Sequence, residues 1–460
     1  MLPETVSSYL YRHRDEHLAA LKELLSIPSL AADQPGAAEA CRQAAAWLAE
    51  RLTSLGAEAT VVSAPPRPVV TASFGAQGDR PTLLIYGHYD VQPPEPLEQW
   101  TSPPFEPVVR DGCLYARGAS DDKGQLFAHL MAVEAWQRAG GGLPVNVKFL
   151  IEGQEEIGSP GLEDFLAARR KELAADAIVI SDSEFFAEGL PSITYGLRGV
   201  LHVELTVRGP AQDLHSGIHG GAPANPINVL AAMIAEMHDA RGAVAIPGFY
   251  DDVLELSPQE RREWQALPFD EAAYGASLGL DALGGGEAGY PVLERRWSRP
   301  SLDCNGIVGG YGGRGTKTII PASATVKISM RLVCNQDPDR IITGFAAFVE
   351  GHRRPGTAVE FSVQSKSRPV LLNRSSPAMT AAVAAMEEAF GRRAAMIRCG
   401  ASVPVTEVFQ RLGGLDAVLM GFGLPDDNLH APNERFRLDQ LWRGAVASAA
   451  MMRYLSAGRR

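Results

Sequence analysis

Val6, Leu10, Leu18, Leu21, Leu24 and Leu25 recur near a 3.6-residue period and predict a helix over the first 25 residues, stopped by Ile27-Pro28-Ser29. A second helix runs through Ala45, Trp47, Leu48, Leu52 and Leu55 to Gly56, a residue suited to a C-terminal cap. Ala57 to Val62 and Pro68 to Phe74 read as strands, and Thr82 to Tyr86 is the nearly unbroken apolar run of a strand covered on both faces. Asp121 and Asp122 precede a helix marked by Leu126, Phe127, Leu130, Met131, Val133 and Trp136, and Val145 to Ile151 and Ala177 to Ile180 are the next strands. Helices alternating with short apolar strands predict an α/β fold built on a doubly wound mixed sheet.

After Gly199 the pattern changes. Leu201 to Val207, Thr325 to Val333 and Ala358 to Val363 alternate apolar with polar, and helices are expected over Asn225 to Met237 and about Asp337 to Val349. Between them, Pro247 to Pro300 reads as long and irregular. This is the pattern of a small α+β piece with an antiparallel sheet. From about Pro369 the α/β rhythm resumes, with a helix over Ala378 to Phe390, a strand over Ala417 to Met420 and a final helix to Leu455. The expected organisation is a catalytic domain (residues 1–198 and 369–460) interrupted by an inserted α+β domain (199–368).

A chain of 460 residues is long for a single core, which agrees with two domains. Its 45% hydrophobic and 21% charged residues exclude wholesale disorder. The net charge of −11, with no basic run before Arg459-Arg460, argues against a nucleic-acid partner. No apolar window approaches the ~18 residues of a membrane span, and the charged first 22 residues do not resemble a secretory signal. The five cysteines, without a Cys-x-x-Cys spacing, read as reduced thiols. A cytoplasmic protein acting without membrane or nucleic acid is therefore expected.

The chemistry lies in five short polar runs: Gly87-His88-Tyr89-Asp90, Ala119-Ser120-Asp121-Asp122-Lys123-Gly124, Gly153-Gln154-Glu155-Glu156, Ser181-Asp182-Ser183 and Asn428-Leu429-His430. Four of them follow or trail strand-like segments, where an open α/β sheet presents its ligand-binding groups. Taken alone, His88 with Asp90 could be a buried histidine held by an acid, and Asp121-Asp122 could simply cap a helix. Glu155-Glu156 is harder to explain that way: neighbouring carboxylates repel, and a cation relieves them. One could bind metal while the other works as a general base. His88, Asp121, Glu156, Asp182 and His430 make five ligands, which suits two divalent ions sharing Asp121. Nitrogen and oxygen donors without thiolate favour Zn²⁺, with Mn²⁺ or Co²⁺ as alternatives.

The runs Tyr86 to Pro93, Arg117 to Gly124 and Glu152 to Ser159 resemble the dinuclear zinc metallopeptidases of the carnosinase and bacterial dipeptidase family, which also includes aminoacylases and succinyl-diaminopimelate desuccinylases. The resemblance spans most of the chain in the family's order. It implies that Asp121 bridges the ions and is joined to Asp122 by a cis peptide bond. His88 and Asp182 would hold one ion, and Glu156 and His430 the other. Glu155 would be the base and Asp90 would orient His88. The insert becomes a lid and dimerisation domain, giving a homodimer. In Asp213-Leu214-His215-Ser216-Gly217, His215 would reach the partner subunit's site, Arg331 would clamp a substrate carboxylate, and Thr318 and Ser402 would bind substrate. Ala401 and Cys334 depart from the family's pattern without touching the metal residues.

The expected function is metal-dependent hydrolysis of the amide bond of dipeptides or short peptides, by a metal-bridged water with Glu155 as general base. The alternatives are an N-acyl amino acid deacylase or desuccinylase, and a catalytically inactive binding protein on the same fold. Other patterns fall away: His13 and His17 have metal-like spacing but lack the glutamate of a zinc helix, and in Gly310 to Thr318 Thr316 stands where a phosphate loop needs lysine.

Overall fold

The computed structural model describes residues 1–64, 66–75, 78–401, 404–413 and 415–458. The chain divides into two compact units: Met1–Tyr195 with Leu372–Ile397 and Pro404–Arg460, and Gly196–Leu371 with Arg398–Val403.

The sheet of the first unit runs, in lateral order, Glu58–Val62, Val69–Ser73, Asn146–Glu152, Thr82–His88, Ala177–Ile180, Asp416–Leu419 and Ser192–Leu197. The four strands from Asn146–Glu152 to Asp416–Leu419 are parallel. Val69–Ser73 is antiparallel to both its neighbours, and Ser192–Leu197 to Asp416–Leu419, so the sheet is mixed as expected. Leu83 through His88 and all of Ala177–Ile180 are buried. Such burial of successive residues means that both faces are covered, which is why these strands lack polar alternation. From Thr82–His88 the chain moves to Asn146–Glu152 on one side and then returns to Ala177–Ile180 on the other. That reversal opens a crevice at the carboxyl ends of these strands.

The helix Lys123–Ala139 is buried continuously from Lys123 to Val133, as befits a helix enclosed on all sides. It packs on Leu438–Ala457, where the Trp136 indole N–H donates to the Ala449 carbonyl at 3.0 Å. His129, fully buried, lies 2.7 Å from Ser448 Oγ and 2.8 Å from Ser181 Oγ. Burial pushes its pKa down to about 3, so it is a neutral structural link. The single helix expected at the N-terminus is two, Glu4–Arg12 and Arg14–Leu25. The break falls at His13, whose ring stacks on Tyr9 and whose Nδ1 lies 2.9 Å from the Tyr9 carbonyl that its own amide also contacts.

The second unit is α+β. Its antiparallel sheet runs Ser301–Gly309, Ser323–Leu332, Gly199–Arg208, Ala358–Ser367. The central strands alternate buried and half-exposed residues, and Leu205, Val326 and Ile328 join Met233 and Phe345, from the helices Pro226–Glu236 and Pro338–Gly351, in one core. The Pro247 to Pro300 stretch holds three short helices, Pro258–Gln265, Glu271–Ser277 and Val292–Trp297, the first closed by a Ser257–Glu260 capping box. Among the described residues, no helix is long and apolar enough to cross a membrane.

One close approach ties the first unit together beside the crevice. A Cβ on Gly124, in the first turn of Lys123–Ala139, would lie 1.9 Å from the Ala119 carbonyl oxygen. Gly124→Ala is expected to cost about 1–3 kcal/mol through forced backbone movement. Gly284→Ala, at a position with open space around it, should stay within about 0.5 kcal/mol of wild type. Denaturant unfolding of the two variants checks this; equal stability would contradict it.

Candidate metal centre

Each residue of the centre is placed by a strand end or a braced loop. His88 closes the strand Thr82–His88, and Asp182 lies two residues beyond Ala177–Ile180. Glu155 and Glu156 form a short 3-10 turn just after Asn146–Glu152. Asp121 ends the loop before Lys123–Ala139 and is joined to Asp122 by a cis peptide bond. His430 lies in the loop before Arg435–Arg437 with φ +60°, between Asn428 (+57°) and Asn433 (+61°). Histidine and asparagine are the residue types that tolerate this region best.

The five expected ligands come together. His88 Nε2 lies 3.1 Å from Asp121 Oδ1 and 3.8 Å from Asp182 Oδ2, and His430 Nε2 lies 2.9 Å from Asp121 Oδ2 and 3.2 Å from Glu156 Oε2. They form two groups whose donor atoms lie within 4.8 Å of one another: His88, Asp121 and Asp182, and Asp121, Glu156 and His430. Asp121 belongs to both, offering one oxygen to each imidazole. Glu155 belongs to neither.

The residues fit divalent cations. His88 is fully buried, yet its Nε2 has no hydrogen-bond partner, because Asp121 Oδ1 is near without meeting hydrogen-bond geometry. A buried imidazole nitrogen left this way is costly unless something else accepts its lone pair. Burial pushes the Asp182 carboxyl up to about 7, helped by the charge of Asp121. Burial likewise drives Glu155 well above the usual range, with the charges of Asp182, Glu156 and Asp121 adding to it against the pull of His88. Burial also raises Asp121, but contacts with His430 and His88 overcome it and hold that carboxyl well below its ordinary value. Asp182 and Glu155 are thus acids whose ionised forms are disfavoured where they stand, which is the condition a cation relieves.

Other acids brace these residues. Asp90 faces His88 Nδ1, with Oδ1 at 3.4 Å and its carbonyl oxygen at 3.1 Å. Its two carboxylate oxygens also accept the Glu155 and Glu156 amides at 3.2 and 3.1 Å. Asp122 occupies a helix N-cap position, but its side chain caps nothing; Oδ2 accepts the His88 amide at 3.2 Å. The capping explanation of that residue is therefore set aside. Gln92 donates to Glu156 Oε2 at 2.9 Å. Asp427 Oδ2 accepts from Ser120 Oγ and the Leu424 amide at 3.0 and 2.8 Å. Sequence reasoning assigned no role to Gln92, Asp427 or the buried Glu434; for Glu434 the available signal was an acid four residues beyond His430.

Three further expected site residues, His215, Thr318 and Arg331, belong to the second unit. His215, exposed, pairs with Ile319 in a two-stranded ladder, and its Nδ1 accepts the Gly217 amide at 3.0 Å. The Ser216 amide donates to the Thr318 carbonyl at 3.0 Å, so His215 and Thr318 are neighbours. Arg331, on Ser323–Leu332, pairs with Val200 and Ser301. Ser402 lies outside the described residues.

A mixed α/β unit carrying two metal-ligand groups joined by a shared aspartate defines the class to which this chain is referred. Residues 84–454 match Peptidase family M20/M25/M40, and the chain belongs to that family. It is 32% identical to a Cys-Gly metallodipeptidase of Schizosaccharomyces pombe, covering 94% of each chain. It is also 32% identical to the Beta-Ala-His dipeptidase of Homo sapiens, over 94% of this chain and 89% of that one. The solved structure of an M20 family metallo-carboxypeptidase from Sulfolobus solfataricus matches with a TM-score of 0.85 and 33% identity, covering 96% of this chain and 100% of that one.

Metal stoichiometry tests the arrangement. Protein stripped by chelator is expected to take up two Zn²⁺ per chain. Asp121→Asn should weaken both, whereas Asp182→Asn should weaken mainly one, by about 10-fold or more. Equal loss from the two variants, measured by chelator competition, would contradict the sharing.

Proposed function

We propose that this protein is a metal-dependent dipeptidase that hydrolyses the amide bond of dipeptides or short peptides. The observation that carries the reading is two ligand groups meeting at Asp121, with Glu155 beside them and in neither. A binding protein has no use for a buried acid of this kind, and the dipeptidase relatives favour peptide hydrolysis over deacylation of N-acyl amino acids. Zn²⁺ suits the mixed imidazole and carboxylate donors, with Mn²⁺ and Co²⁺ as alternatives. When bound, such ions polarise a carbonyl and make a water acidic enough to ionise near neutral pH.

His88 and Asp182 would hold one ion, Glu156 and His430 the other, and Asp121 both. Glu155 takes the proton of the attacking water and passes it to the leaving amine. The burial that, with its acidic neighbours, raises its pKa makes it a competent carrier for both transfers. Asp90 keeps His88 in the tautomer that leaves Nε2 free, and through the Glu155 and Glu156 amides it fixes the turn bearing the base. The second unit would act as a lid and dimerisation domain, in which Arg331 would pair with the substrate carboxylate, Thr318 would bind substrate, and His215 would polarise the scissile carbonyl in the partner subunit's site; Ser402 would also bind substrate. The acidic balance, and a chemistry that needs neither membrane nor nucleic acid, fit a cytoplasmic homodimer.

Glu155→Gln should lower kcat by about 10²–10⁴-fold with metal content unchanged, because it removes the proton carrier and no ligand. The readout is turnover of a panel of dipeptides and N-acetyl amino acids with added Zn²⁺, Mn²⁺ or Co²⁺. Full activity of the variant refutes the mechanism, and turnover confined to N-acetyl amino acids refutes the substrate class.

Action of His215 across a dimer has its own consequence. His215→Ala and Glu155→Gln are each expected to be nearly inactive alone. Co-expressed, they should recover up to about a quarter of wild-type activity, since mixed two-fold dimers contain one intact site. No recovery in a preparation shown by light scattering to be dimeric would exclude it.

A further inference from the structure

Glu434 is fully buried and touches none of the reacting groups, yet its carboxylate gathers four donors. Oε1 accepts the amides of Ser120 at 2.9 Å and Asp121 at 3.1 Å, and Oε2 accepts the Gly118 amide at 2.9 Å and Arg117 Nη1 at 2.8 Å. Its own carbonyl accepts the Ala116 amide at 3.2 Å. Successive backbone amides converging on one point form an anion cradle, and here the anion is the chain's own side chain. Hydrogen bonds to an ionised carboxylate are the strong ones, and Arg117, itself buried, balances the charge.

The two ends joined in this way carry different halves of the metal centre. Gly118, Ser120 and Asp121 form the loop that presents the shared aspartate. Glu434 lies four residues beyond His430, whose side chain is 55% exposed and whose loop contains three left-handed non-glycine residues. His88 and Asp182, in contrast, follow buried strands and need no such tie. Another buried bond joins the two loops, Ser120 Oγ to Asp427 Oδ2 at 3.0 Å, but it reaches neither Asp121 nor His430, whose imidazole stands 2.9 Å from Asp121.

We propose that Glu434 is a positioning residue: it locks the Asp121 loop to the His430 loop, and so sets the affinity of the Asp121–Glu156–His430 ion in particular. The proposal rests on the metal-dependent reading above. A partner at this distance from the metal typically tunes affinity by about 10–100-fold, and that range is expected here for one ion only.

The experiment is Zn²⁺ titration against a chromophoric chelator for wild type, Glu434→Gln and Glu434→Asp, with circular dichroism to confirm folding. Glu434→Gln places an amide N–H₂ among donors. Glu434→Asp keeps the charge beside Arg117 but falls one methylene short of the amides, and it carries the test if the first variant does not fold. One ion is expected to weaken about 10–100-fold while the other stays within about 3-fold, and kcat should fall more than KM rises. Hydrogen exchange of the 117–122 backbone should quicken in the variant. A folded variant that keeps both affinities overturns the proposal, as does one that loses both ions equally. If wild type itself binds no pair of ions, the metal-dependent reading falls. Glu434 is then judged by exchange alone, and unchanged protection of 117–122 overturns its positioning role.

Discussion

Asp121, Asp182, Glu155 and Glu156 converge at the carboxyl ends of parallel strands, where burial and neighbouring acids act against the charge of Asp182 and Glu155. Two imidazoles lie among these acids, and His88 Nε2 is left without a hydrogen bond at the centre of the group. The rest of the first unit follows from that unresolved electrostatic demand. A sheet whose central strands run parallel, with the chain adding them first on one side of Thr82–His88 and then on the other, is what brings three strand ends to one crevice. Fully buried strands hold those ends rigid, so the repulsion cannot be relaxed by moving the carboxylates apart. A cation relieves it while leaving the carboxylates ionised, which protonation of Asp182 or Glu155 would not.

The segments that meet in the candidate centre stood out in the sequence because most are polar runs following or trailing apolar ones, a contrast that survives without knowledge of the fold. The mixed α/β character was legible for the same reason: Thr82 to Tyr86 and Ala177 to Ile180 lack alternation, as strands enclosed on both sides must. Other features were not legible. The break at His13 coincides with a ring that, like the His13 amide, reaches the Tyr9 carbonyl, a contact invisible to periodicity. The strand Ser301–Gly309 exposes most of its side chains at the sheet's edge, so it has no buried face to write a pattern. The short helices within Pro247 to Pro300 are too brief to show a repeat. Asp122 looked like a cap because sequence gives the residue type and position of a side chain but not its partner, and that partner is the His88 amide.

Residues that brace the centre were the hardest to read. Gln92, Asp427 and Glu434 are single polar residues in loops, and what distinguishes them is burial and long-range hydrogen bonding. The Glu434 side-chain contacts span 313 to 317 residues of sequence. Nothing local marks such an acid as different from the many that face solvent.

Asp90 and Glu434 show a common way of organising a cation site with acids that do not enter it. Each binds the backbone amides of a ligand-bearing segment, Asp90 those of Glu155 and Glu156, Glu434 those of Ser120 and Asp121. Amide donors satisfy a carboxylate without cancelling its charge, whereas a lysine brought in for the same purpose would add a positive field beside the cations. Bracing through amides therefore fixes geometry and keeps the local potential negative. Where a full counter-charge is used, at Glu434, the arginine bonds to the oxygen that accepts Gly118, while the other oxygen accepts Asp121. The side facing the centre is held by dipoles alone.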